Sequence, residues 1–397
     1  MKRRSFLQKS AIASTSILVP AFLKAYQPEQ LYNSRSGKIL VIVQLSGGND
    51  GLNTVVPFQN DIYYQQRPTL AIGKSEVIQL SDQLGLNPAL SPLQSLYDDG
   101  LLSIVNNVGY PNPDRSHFRS MDIWHTASES DEYLSTGWLG RYLDSSCQGC
   151  QAAHHALEVD DELSLALKGQ TKKGFAMSNP DQLKRQTNNQ LLKHLAQQPS
   201  HDHEENVAYL YKILADTYSS ADYLSEKAKT YRSKNNYPST AFGKRLKQVA
   251  ELISADTDTR IYYVSLSGFD THVNQKNQQE RLLKQYAEGM KAFVQDLKQN
   301  RLLDDTLIMT FSEFGRRVKQ NASRGTDHGT ANNLFLIGGK LQRPGFYNEG
   351  PDLGSLDKGD LIYKVDFRDV YATILDKWLK GSSQQILNKN FQGLQLI

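Results

Sequence analysis

The chain has 397 residues, 39% of them hydrophobic and 22% charged, a balance that excludes a disordered chain and gives enough apolar material for one large or two modest cores. A net charge of +3, with no Lys/Arg-rich block beyond the first few residues, argues against nucleic acid as a partner.

The N-terminus departs from this average. Residues 1–10 pair Arg3 with Arg4, and residues 11–23 form a short apolar run ending near Ala21 or Ala25. Basic, apolar and small-residue segments in that order are the layout of an export signal. The run Arg3-Arg4-Ser5-Phe6-Leu7 resembles a twin-arginine signal, the address read by the machinery that exports folded proteins. The apolar run is too short for a stable membrane span. Residues 1–25 are therefore expected to be a leader, and the mature chain to be periplasmic or secreted.

Apolar runs suited to strands follow at 39–45, 101–108, 260–266, 306–311 and 333–337. Helical periodicity lies between them, clearest at 278–300, where Leu282, Leu283, Tyr286, Met290, Phe293 and Leu297 recur three or four apart. This alternation predicts an α/β domain over 38–397 with a largely parallel sheet covered by helices. The stretch 144–255 is richer in Gln, Lys, His and Asn, with helices expected over 206–231 and 241–253, and reads as a helical insertion or cap. Within it, Cys147 and Cys150 lack the second cysteine pair of a thiolate zinc site; after export a local disulfide is expected, with free thiols as the alternative. His201 and His203 sit in a polar stretch and are expected to be solvated. Near the C-terminus, Asp366, Arg368 and Asp369 are expected to pair internally and position a final helix over 370–379.

Polar residues collect where the expected strands end, the edge at which open α/β sheets bind ligands. The first strand runs into Ser46-Gly47-Gly48-Asn49-Asp50, whose glycines allow a sharp turn. The strand at 260–266 leads to Asp270-Thr271-His272, and that at 306–311 to Glu313 and Arg316, with Asp327-His328 following closely. Each aspartate alone is equally suited to forming a turn or capping a helix. Gathered on one edge, such carboxylates and imidazoles suit a shared divalent cation, zinc or manganese among them. After the strand at 101–108, Asp114-Arg115-Ser116-His117 reads as a helix start. Ser116 there is either an N-cap or, beside a metal and the helix's positive end, a nucleophile; Arg115, His117 and Arg119 are then placed to clamp an anion.

The stretches LSGGNDGLNTVVPF, NPDRSHFRSMDIWHT, STGWLGRYLD, SGFDTHVNQ, FSEFGRRVKQN and GTDHGTANN together resemble the family called domain of unknown function 1501, over about residues 38–376. That family is similar to the alkaline phosphatase and sulfatase superfamily. The resemblance implies a mixed, mainly parallel sheet sandwiched by helices, one or two divalent cations (zinc, or manganese or calcium) and hydrolysis of phosphate or sulfate esters. It assigns Ser116 as nucleophile, Asp50 as a metal-bridging carboxylate, Asp270 and His272 as ligands of one metal, and Glu313, Asp327 and His328 as the later ligands. Two departures accompany it: Asp270 and His272 are spaced more closely than the superfamily's first pair, and Glu313-Phe314-Gly315-Arg316 stands where Asp-His-Gly is expected, unless Asp327-His328-Gly329 is the true equivalent. The leading expectation is an exported ester hydrolase acting on a small molecule or glycan. The alternative is a non-catalytic exported protein that binds an anionic glycan or protein partner in the same cleft.

Overall fold

Ile39–Ser46 forms strand β1, and all but its last residue are buried, as a near-continuous run of Ile, Leu and Val requires when both faces of a sheet are covered. The computed structural model describes residues 37–146, 152–187 and 205–397; the leader at 1–25, Cys147, Cys150, His201 and His203 lie outside the described residues. Further strands of the same sheet are β2 (Leu102–Gly109), β3 (Ala156–Glu158), β4 (Phe175–Ala176), β5 (Ile261–Ser267), β6 (Thr306–Phe311), β7 (Asn332–Ile337), β8 (Gly345–Phe346) and β9 (Val365–Asp366). Their order is β8-β2-β7-β6-β1-β5-β3-β4, with β9 also beside β2. β1 runs parallel to β5 and β6, with Leu40 opposite Ile261 and Ile39 opposite Thr306. Only β7 runs antiparallel to its neighbours β2 and β6, so the sheet is mixed and mainly parallel.

Among the described residues the α-helices are α1 (Asp61–Gln66), α2 (Ser91–Asp98), α3 (His117–Thr126), α4 (Trp138–Ser146), α5 (Pro180–Thr187), α6 (Glu205–Ala228), α7 (Ala241–Ser254), α8 (Gln275–Gln299), α9 (Phe367–Thr373) and α10 (Ser383–Leu387). Alternation along β1 assigns them to faces. Val41, Val43 and Leu45 point into one core with Leu246 and Val249 of α7 and Leu283, Tyr286 and Phe293 of α8. Leu40 and Ile42 point into the other, with Trp124 of α3, Leu139 of α4 and Tyr371 of α9. There Trp124 stacks on Phe311 and Phe367 with centroids 4.7 and 4.2 Å apart. Each such side chain contributes about 1.5–3 kcal/mol by leaving water.

The helices expected over 206–231 and 241–253 are present as α6 and α7. α8 starts three residues before the expected 278, because the Gln275 amide donates to the Arg324 carbonyl and the Gln275 side chain is drawn into a polar network described below. The helix expected over 370–379 also begins early, at Phe367, capped by the Asp366 side chain on the Arg368 amide. It then widens into a π-helical turn over Ile374–Trp378. Of the expected internal pairing, Arg368 Nη2 lies 2.6 Å from Asp366 Oδ2, whereas Asp369 accepts instead from the Gln392 amide. In the stretch 144–255, β3 and β4 extend the sheet beyond β5 while α5, α6 and α7 carry the helical remainder. No helix among the described residues is long and apolar enough to cross a membrane.

Candidate metal centre

The carboxyl ends of β1, β2, β5 and β6 and the start of antiparallel β7 lie on one edge of the sheet. Their loops approach closely. Gly47 has φ +117°, and a Cβ there would run into the backbone of Phe269 and Asp270; Gly48, at φ +73°, lies against the Phe314 ring. Gly325 packs in the same way on the backbone of His272. The glycines thus bring together three segments that side chains would hold apart.

Arg316 ties these loops. It is only 2% exposed. It donates to the carbonyls of Gly48, Thr326, Gly47 and Phe269, and its Nη2 lies 2.8 Å from Asp270 Oδ1. Four carbonyls and a carboxylate supply the hydrogen bonds that a buried guanidinium must have.

Around Asp270 stand three imidazoles. His272 Nε2 and His328 Nε2 lie 3.0 and 3.1 Å from its Oδ1, and His117 Nε2 lies 3.5 Å away. The ligand atoms of His117, Asp270 and His328 all fall within 4.8 Å of one another, and His272 Nε2 is 3.0 Å from His328 Nε2. The opposite nitrogen of each ring meets an acceptor: His117 Nδ1 faces Glu313 Oε1 at 3.0 Å, His328 Nδ1 faces the Arg115 carbonyl at 2.7 Å, and His272 Nδ1 faces Asp327 Oδ1 at 3.3 Å. An acceptor at Nδ1 places the proton there and turns the Nε2 lone pair inward.

Three nitrogens with inward lone pairs, converging on an anionic oxygen, repel one another unless a cation or protons lie between them. Tetrahedral zinc with Zn–N bonds of about 2.0–2.1 Å separates its ligand atoms by about 3.3 Å, close to the 3.0–3.5 Å found around Asp270. His117 Nε2 is also buried without a hydrogen-bond partner. On both counts these residues fit a divalent cation.

The electrostatics agree with that geometry. The bond to Glu313, opposed by partial burial, pushes the His117 ring above its usual range. Burial holds the His328 ring below it. Desolvation pushes Asp270 up, but the Arg316 guanidinium and His328 outweigh it and leave the carboxyl well below the usual carboxylate range. Asp327 is lowered by the Asn321 amide, which with the His272 ring outweighs its small desolvation.

Asp50 belongs to a different network. It is 1% exposed, and its Oδ2 accepts from Arg67 Nη1 at 2.5 Å and from the Gln275 amide. Arg67 is itself fully buried and also donates to Asn53 and to the carbonyls of Val318 and Arg317. Of the ligands expected from the sequence, Asp270, His272 and His328 gather in the cluster together with His117. Glu313 and Asp327 hold the outer nitrogens of its rings, and Asp50 stands apart.

Ser116 precedes α3 with extended backbone and caps nothing with its side chain, which is exposed. Arg115 reaches the nearly buried Asp360. Arg119 is spent on the carbonyls of Glu129, Ser130 and Glu132, so it supports the loop after α3. Sequence reading passed over Arg67, which nothing near it in the chain marks, and gave no role to Arg316, although the motif containing it was legible.

An α/β protein with a carboxylate and imidazole cluster at its sheet's carboxyl edge is what fold and site define. The chain belongs to the family described as protein of unknown function (DUF1501), which it matches over residues 37–396. A search of curated proteins finds no match. Solved structures similar to it include the PsFucS1 sulfatase from Pseudoalteromonas sp., with 10% identity and a TM-score of 0.40 over 90% of this chain and 73% of that one. Another is the C-terminal periplasmic domain of EptC from Escherichia coli in complex with zinc, with 11% identity and a TM-score of 0.37 over 76% and 73%. A third is a protein in the alkaline phosphatase superfamily from Vibrio parahaemolyticus, with 10% identity and a TM-score of 0.34 over 80% and 64%.

Proposed function

We propose that this protein is an exported, metal-dependent hydrolase of phosphate or sulfate esters whose centre takes one divalent cation, zinc, manganese or calcium. The observation that carries the reading is the convergence of the His117, His272 and His328 Nε2 atoms on Asp270. A cation bound there supplies positive charge against the ester's oxygens. Glu313, Asp327 and the Arg115 carbonyl keep the Nδ1 protons in place and so hold the three rings in their ligating orientation. Ser116, beside His117 and with its hydroxyl uncommitted as a cap, is the nucleophile in this reading: its oxygen bonds phosphorus or sulfur as its proton passes to solvent and the ester's alcohol leaves, and water then releases the phosphate or sulfate and restores the hydroxyl. The twin-arginine leader at 1–25, one α/β unit over 38–397 and an insertion at 144–255 belong to the same proposal.

A binding-only reading has one observation in its favour: Asp50 Oδ2 is ion-paired with Arg67 and accepts from the Gln275 amide, which turns the carboxylate that a two-metal site would share towards a guanidinium. The test is elemental analysis of the mature protein beside an Asp270→Ala/His328→Ala variant, with release of phosphate and sulfate from ester panels measured on both. About one equivalent of divalent metal and turnover in the parent, both lost in the variant, is the expected outcome. No metal after incubation with zinc, manganese and calcium would sink the hydrolase; metal without turnover would favour the binding protein.

A further inference from the structure

A cleft of about 240 Å³ is lined by Thr69, Leu70, Asn274, Lys276, Asn277 and Arg324. Its lining contains two cations and no acid. Neither Lys276 nor Arg324 forms an ion pair among the described residues, whereas Arg67, Arg115, Arg316 and Arg368 all do. The remaining polar lining is hydroxyl and amide, and no aromatic ring offers a stacking surface for a base.

The cleft is built from the segments that hold the cluster. The Asn274 amide donates to the Ser323 carbonyl, the Gln275 amide to the Arg324 carbonyl, and the Thr326 amide to the Thr271 carbonyl. The Asn321 side chain bonds both the His272 carbonyl and the Asp327 carboxylate. The Arg324 backbone is thus tied to the segment that follows His272, and Lys276 is the second residue of α8. An unpaired guanidinium and ammonium suit anionic oxygens, and amides and hydroxyls suit sugar hydroxyls.

We propose that this cleft is a second anion subsite, so that the ligand is an oligosaccharide bearing at least two sulfate or phosphate substituents, one at the metal centre and another against Lys276 and Arg324. The proposal rests on the ester-hydrolase reading for what occupies the centre, but the cleft's selectivity is measured independently of turnover.

The probes are a tetrasaccharide carrying one sulfate ester and the same tetrasaccharide carrying four, with a matching pair of phosphate esters. Calorimetry gives their affinities for the mature protein and for Lys276→Ser/Arg324→Ser, and released sulfate or phosphate is assayed in the same samples. Four equivalent groups give at most about fourfold by statistics at one site; a second charge-assisted contact adds about tenfold more. The expected result is a preference of that combined size in the parent that falls to the statistical factor in the variant, with metal content and unfolding midpoint unchanged. The pair with the larger ratio identifies the ester. An equal ratio in parent and variant, or no preference in the parent, overturns the subsite. Preference lost in the variant without release from any probe upholds the subsite and removes the hydrolase; release without preference does the reverse.

Discussion

Neighbouring parallel strands β1 and β5 both lead into an aspartate, and the two aspartates meet opposite fates. Asp50 is sealed at 1% exposure against a guanidinium and an amide. Asp270 keeps 49% of its side chain exposed and faces three imidazoles in addition to Arg316. A guanidinium has only donors and does not lose its proton, so it can neutralise a carboxylate but never ligate a metal beside it. Imidazoles can give up an inward proton and bind. The residue that arrives at a strand end, more than the strand end itself, decides whether it becomes a clamp or a centre.

The sharpest way to break this contrast is at Arg67. Arg67→Met leaves Asp50 buried without its cation, held on Oδ2 by the Gln275 amide alone, and is expected to cost about 3–5 kcal/mol in denaturant unfolding. The double substitution Asp50→Asn/Arg67→Met removes the stranded charge and is expected to recover a large part of that loss. A single variant within about 1 kcal/mol of the parent would show that the pair is not holding the loop.

Glu158 shows a third treatment of a carboxyl, here a buried one, in which a proton replaces the cation. Burial, only partly offset by the Ser164 amide, pushes it from 4.5 up to about 7. The folded state therefore holds a proton that the unfolded chain has released between those values. Its stabilising effect is complete below about pH 4.5 and is lost as pH rises to about 7, an effect on the order of 3 kcal/mol. Glu158→Gln should flatten that part of the stability profile, gaining most at pH 8 and little at pH 4. Equal changes at both values would reject the protonated carboxyl.

At the centre the stability effect is smaller and the binding effect larger. Asp270→Asn leaves Arg316 its four carbonyl acceptors and should cost only about 1 kcal/mol; under the proposed metal reading, bound metal should fall from about one equivalent towards none. A variant that keeps its metal would place the cation elsewhere.

Much of this edge was legible in the sequence. Buried β1 and its glycine turn were readable because a run of Ile, Leu and Val followed by Gly47 and Gly48 has few other uses, and the heptad-like spacing of Leu282 to Leu297 marked α8. The gathering of Asp270, His272 and His328 followed from their positions at strand ends. What did not follow was the partner of Asp50, because Arg67 reaches it across 17 residues of chain, and no local pattern encodes that meeting. The division between rings and the carboxylates behind them was also hidden: Glu313 and His117 are 196 residues apart, and only their packed geometry shows which binds and which orients.

Ser116 gives the smallest stability effect and the most decisive functional one. A serine that caps a helix typically loses about 1 kcal/mol when replaced by alanine, but Ser116 makes no such bond and its hydroxyl lies in solvent. Ser116→Ala should therefore shift the unfolding free energy by no more than about 0.5 kcal/mol and leave the metal content at the parent's level. If the ester reading holds, the same change should lower turnover at least about a thousandfold, since loss of a nucleophile disables the whole constellation around it. Unchanged stability and metal with unchanged turnover would keep the centre but assign the attack to water, and the contrast with Asp50 would then rest on the imidazoles alone.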